Sequence, residues 1–156
     1  MAIAPTLAKY LAAKNVAYDV LPHEPTQSSM RTAQACHIPG ERLAKAVLIR
    51  DEQGYALVVL PASHYIRLSA LKRQLGDDIE LASEREIVDL FEDCARGAIP
   101  AIGECYGLDM VVDDDIDSQP EVYFEGGDHV TLIHMSHAQF ARLMAQARHG
   151  RFSGPH

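Results

Sequence analysis

Apolar and polar positions along this chain fall into short blocks whose period changes from segment to segment. Ile3, Leu7, Tyr10 and Leu11 recur at helical spacing behind Pro5, a good first-turn residue, and predict an N-terminal helix. Val16–Leu21 reads as a strand stopped by Pro22 and Pro25. Ser28–His37 predicts a short helix ended by Pro39-Gly40. Leu43–Arg50 (L-A-K-A-V-L-I-R) has strand length and is apolar except for Lys45 and the closing Arg50. After the turn Glu52-Gln53-Gly54 comes Tyr55–Leu60, apolar on both faces, so the two runs predict a hairpin at the heart of a sheet.

Leu68, Leu71 and Leu75 mark a short helix ended by Gly76, and Ile79–Ala82 a brief strand. Ser83 and Glu86 have capping-box spacing before the apolar face Ile87, Leu90 and Phe91. Arg96–Gly103 (R-G-A-I-P-A-I-G) is too rich in Gly and Pro for regular helix. Met110–Asp113 and Val122–Phe124 predict strands on either side of an acidic turn, Asp113–Asp117. Gly126-Gly127 breaks the chain before a strand over His129–Met135. A second box, Ser136 with Gln139, opens a last helix lined by Phe140, Leu143, Met144 and Ala147. The pattern predicts one α+β (mixed α/β) domain over residues 1–147, with a central mixed, largely antiparallel sheet flanked by short helices. Residues 148–156 read as a loose tail.

Composition adds bounds. The 156 residues are 47% hydrophobic and 23% charged, ordinary for a soluble domain. No segment has the pattern of a secretion signal or the length to span a membrane, and three cysteines without C-x-x-C spacing suit reduced thiols, so a cytoplasmic location is expected. The net charge of −8 disfavours non-specific nucleic-acid binding. An RNA contact would need a local basic rim, for which Arg31, Arg42, Arg67, Lys72 and Arg73 are the candidates.

Three stretches carry candidate chemistry. Lys45 shares a strand face with Leu43, Val47 and Ile49, while Ala44, Ala46 and Leu48 fill the other, so the strand reads as buried on both sides. An ammonium there either snorkels to water or meets an anion at the mouth of a pocket. The Arg96–Gly103 loop is either a surface turn or a ligand cradle, in which Gly97 permits close approach, backbone N–H groups donate, and Ile99 and Ile102 form apolar walls. Gly126-Gly127-Asp128-His129 is either a bulge with a strand-end histidine or a place where His129 serves as donor or proton carrier.

Other chemistries lack their residues. His129 and His134 have opposite parity on a strand, which breaks the simplest zinc triad with His137. Asp113, Asp115 and Asp117 match the start of a calcium loop, but Ser118 replaces its glycine and Phe124 its bidentate acid, leaving a solvated turn. No metal or cofactor is expected. There is no G-x-S-x-G, phosphate-binding glycine loop or dinucleotide fingerprint.

In this order, A-K-A-V-L-I with L-V-V-L-P, G-A-I-P-A-I-G, and V-Y-F-E-G-G-D-H resemble the YbaK/ProX family of aminoacyl-tRNA deacylases, which includes the editing domain inserted in bacterial prolyl-tRNA synthetases. The resemblance runs from the first helix to Met144. It implies a YbaK/ProX-like fold and hydrolysis, in trans, of the ester joining a wrong amino acid to tRNA. The partners it implies are mischarged tRNA and an aminoacyl-tRNA synthetase. By the same resemblance Lys45 is the essential lysine at the substrate's 3′ end. Gly97, Ala98, Ile99 and Pro100 belong to the loop that positions the acyl group. Gly126, Gly127 and His129 match the pocket-side motif. Arg96 stands where family members carry the first glycine of G-x-x-x-P, and Ala46 where alanine-specific relatives carry asparagine. The alternative is a non-catalytic aminoacyl-tRNA-binding or synthetase-associated module on the same fold.

Overall fold

Helix α1 (Pro5–Lys14), strand β1 (Asp19–Pro22) and helix α2 (Ser29–Ala35) lead into the hairpin predicted around Lys45, β2 (Ala44–Asp51) and β3 (Gly54–Pro61). The computed structural model describes residues 3–155. After the hairpin come β4 (His64–Ile66), α3 (Leu68–Leu75), β5 (Glu80–Leu81) and α4 (Glu84–Leu90). A long loop then reaches β6 (Asp109–Asp113), α5 (Asp114–Asp117), β7 (Glu121–Glu125), β8 (Thr131–Ser136), α6 (His137–Leu143), β9 (Arg148–Gly150) and β10 (Ser153–Pro155).

The principal sheet has the order β5-β2-β3-β6-β9, with β5, β2 and β3 antiparallel and β6 and β9 parallel to β3 and to each other. A second, antiparallel sheet has the order β1-β8-β7, and β10 pairs with β4. One parallel bridge, Leu43↔Tyr123, joins the start of β2 to β7. The result is a mixed α+β domain in which antiparallel pairing prevails, divided among three sheets rather than one.

The principal sheet is covered on both faces, which explains the doubly apolar hairpin. Leu48, Leu57, Val59 and Val112 pack with the second sheet and with Leu7, Leu11 and Phe140 from α1 and α6. Ile49, Val58, Leu60 and Val111 pack on the other side against Leu71 of α3, Ile79 and Phe152. β3 is central. β2, predicted to be buried on both sides throughout, lies one strand from the edge, and short β5 covers it only at Ile49 and Arg50. The edge of β2 near Lys45 therefore has no ladder on that side, and this leaves room for a cavity.

Several boundaries differ from the sequence pattern. The strand expected over Val16–Leu21 begins at Asp19, since Val16 is drawn into the main core. The strand expected from His129 begins at Thr131; His129 turns with φ 64° and Asp128 accepts hydrogen bonds from Val130 N and Thr131 Oγ1. Ser83 and Glu86 form a complete capping box. Ser136 caps α6, but the Gln139 side chain accepts from Ala17 N instead of returning to the cap.

The loose tail is the main correction. β9 extends the principal sheet, β10 pairs with β4, and Phe152 is fully buried between them. The acidic turn is what anchors it. Asp113, expected in solvent, is fully buried; its Oδ1 accepts from Asp115 N at the start of α5, and its Oδ2 accepts from Phe152 N at 3.0 Å and Ser153 Oγ at 2.8 Å. A buried carboxylate is tolerable when donors surround it in this way.

Candidate functional site

Where β2 and β7 part beyond the Leu43–Tyr123 bridge, a small cavity of about 200 Å³ opens. Lys45 and its neighbours Ala44 and Ala46 line it from β2, Gly97 and Ile99 from the long loop, Ile87 and Glu84 from α4, and Glu125 from the end of β7. Ser29 at the start of α2 closes one side.

Lys45 is half-buried, and its Nζ donates one long hydrogen bond of 3.4 Å to the Ala62 carbonyl. Burial lowers its pKa from the usual lysine range. One weak acceptor leaves most of the ammonium's donor capacity available to an anion in the cavity. Among the described residues no ion pair joins Lys45 to a carboxylate.

The loop makes a left-handed turn at one point. Gly97 has φ 80°, in the left-handed region, and a Cβ there would meet nothing within 4 Å. Glycine is thus required by the backbone turn rather than by crowding. Ala98 and Pro100 are buried and support the loop from below, whereas Ile99 reaches the cavity. Ile102, expected as a second wall, is fully buried in the main core. Arg96 is exposed and lies 3.8 Å from Glu84, outside the loop's tight turn.

The Gly126-Gly127 pair has a different occupation. The Gly126 carbonyl accepts from Ala4 N and the Gly127 carbonyl from Ala95 N. A Cβ on Gly127, where φ is 111°, would come 2.8 Å from the Ala4 Cβ. The pair ties the start of α1 and the root of the Gly97 loop to the end of β7, and neither glycine lines the cavity.

Glu125, which the sequence pattern did not single out, is the second charged group at the cavity. His23 Nε2 lies 3.2 Å from its Oε1, and His129 Nδ1 lies 3.7 Å from its Oε2. Burial raises the Glu125 pKa, and His23 and His129 offset part of that rise. His129 thus reaches the site through Glu125. Its Nε2 is 2.8 Å from the Thr26 carbonyl, and the two histidine rings stand edge to face at 6.2 Å. The available signal was the E-G-G-D-H string itself, but an acid before a glycine pair also reads as an ordinary strand end.

His134 is committed elsewhere, to Asp19 at 2.6 Å and Glu121 at 2.7 Å across three strands. Since His129 has left the strand, distance in the fold rather than strand parity separates the two. Arg42, a candidate for the basic rim, is held by Glu121 at 2.7 Å. His64, Asp113 and Asp115 place possible metal-ligand atoms within 4.8 Å of one another, but Asp113 already accepts from Asp115 N, Phe152 N and Ser153 Oγ. No helix among the described residues is long and apolar enough to cross a membrane.

The profile of the aminoacyl-tRNA editing domain matches residues 23–143. Among solved structures, a scaffold protein from the computational grafting of linear epitopes aligns with a TM-score of 0.83 at 19% identity, covering 98% of this chain and 97% of its own. The hypothetical protein APE2540 aligns at 0.82 with 22% identity over 96% and 99%. A candidate trans-editing enzyme for prolyl tRNA synthetase aligns at 0.82 with 21% identity over 97% and 96%. No curated protein sequence matches the chain significantly.

Proposed function

Because the chain belongs to the aminoacyl-tRNA editing domain family, we propose that it is a trans-acting deacylase, cytoplasmic, that hydrolyses the ester between a wrong amino acid and the terminal ribose of tRNA. The observation that carries this reading is the single cavity to which β2 brings Lys45 and the long loop brings Gly97 and Ile99. Lys45 supplies positive charge from a partly desolvated wall, for a phosphate of the tRNA end or for the oxygen that becomes negative as the carbonyl is attacked. The Gly97–Pro100 backbone orients the acyl group, and Ile99 sets its permitted size. Water adds to the carbonyl carbon, the bond to the ribose oxygen breaks, and the ribose leaves with a proton. Positioning and charge stabilisation suffice for so activated an ester, and no side-chain nucleophile is invoked.

The rival reading is a binding module without turnover, which the net charge of −8 favours because it weakens any grip on tRNA. A synthetase partner that holds the tRNA would remove that objection. Incubating the protein with a panel of mischarged tRNAs, beside Lys45→Ala, separates the readings. Lysine-dependent release of amino acid supports the deacylase, and retention of tRNA without release supports the binding module.

A further inference from the structure

Resting on the editing reading above, we infer that Glu125 is a specificity-determining residue that receives the substrate's free α-ammonium, so that esters of N-blocked amino acids are poor substrates. The argument begins with what the cavity offers. Lys45 and Glu125 both line it, yet no ion pair joins them, and burial alone accounts for the shift on Lys45. A positive and a negative group therefore both line the cavity without pairing with each other. An aminoacyl ester at the end of tRNA has the matching arrangement, with phosphate on one side of the ester and an ammonium on the α-carbon at the other.

The second observation concerns hydrogen-bonding capacity. The Thr26 carbonyl can only accept, so His129 Nε2 must carry the proton of their 2.8 Å contact. Nδ1 of the same ring is buried without a hydrogen-bond partner. It faces Glu125 Oε2 at 3.7 Å, too far for a proton held between them. Oε2 accepts no hydrogen bond among the described residues, while Oε1 is occupied by His23. A substrate ammonium reaching Oε2 supplies a donor to the carboxylate oxygen that accepts none among the described residues. The His23 contact and the turn at His129 hold the carboxylate in place for it.

The test uses the mischarged tRNA that the wild-type protein cleaves fastest, and the same tRNA after acetylation of its α-amino group. Wild type is expected to cleave the free-amine ester about 10- to 100-fold faster than the acetylated one, the range for one hydrogen-bonded charge contact. Glu125→Gln, which keeps the side chain's size, should slow the free-amine reaction and erase most of that preference. Glu125→Asp should keep the preference, and cooperative thermal transitions in both variants would exclude loss of fold. Equal rates on both esters by wild type, or an undiminished preference in Glu125→Gln, overturns the assignment while leaving deacylation standing. Cleavage of neither ester by folded wild-type protein overturns the editing reading and the α-ammonium assignment with it.

Discussion

Lys45 and Glu125 occupy equivalent places on two strands, each two residues beyond the Leu43–Tyr123 bridge that joins β2 to β7 in parallel. Residues two apart on a strand share a face, so the bridge sets both side chains at one level before the strands part to different partners. The cavity fills that fork.

Replacing Lys45 by Ala should lower deacylation by about 100- to 1000-fold, the usual effect of removing one charge-stabilising donor. Folding should not suffer, because the change also removes a desolvated ammonium. Initial rates at equal folded concentration, with the melting temperature as control, check both parts. Activity within a few-fold of wild type would refute the role given to Lys45.

Gly97 and Ile99 should respond differently. Gly97→Ala meets no neighbour but must hold φ near 80°, a strain of about 1–2 kcal/mol for an L-residue, and should slow every substrate as the loop shifts. Ile99→Ala enlarges the cavity and should raise the relative rate on a larger amino acid by about tenfold. One panel of mischarged tRNAs reads both. Unchanged rates and preferences in both variants would reduce the loop to a surface turn.

Glu125 should make stability depend on pH in a stated direction. Burial raises its pKa above the ordinary 4.5, so the folded protein holds this proton more tightly than the unfolded chain. Its contribution is then full below 4.5 and is lost as pH rises through the higher native value. Relative to wild type, Glu125→Gln should gain stability across that window, by at most about 1.4 kcal/mol per pH unit. His23, His129 and Asp128 also face this carboxyl, so the gap reports Glu125 together with its charge interactions with them. Chemical denaturation between pH 4.5 and 7 measures the gap, and a constant gap would mean that the carboxyl is not effectively desolvated.

Phe152→Ala should cost about 3–5 kcal/mol, as expected for a fully buried phenylalanine. Phe140→Ala in α6 should cost a similar amount. Denaturant midpoints of the two variants compare them directly. A loss below about 1 kcal/mol for Phe152→Ala would return the C-terminal strands to the status of a loose tail.

What the sequence determined by itself was local. The apolar runs L-A-K-A-V-L-I and L-V-V-L-P, with the short turn between them, specify a hairpin because strand length and turn chemistry act between near neighbours. The Ser83–Glu86 box and the apolar face with Phe140 are equally local. Lys45 stood out because a charge inside an apolar run needs a partner, and Gly97 because a Gly/Pro-rich loop allows close backbone approach. Tertiary structure decided the rest. Phe152 has no periodic neighbours to mark it, and its burial depends on Asp113, which accepts its N–H from 39 residues away. Glu125 belongs by alternation to the less buried series Glu121, Tyr123 and Glu125. Only the bridge between Leu43 and Tyr123 sets it beside Lys45, because contacts between distant segments follow from how sheets pack, which no local period encodes.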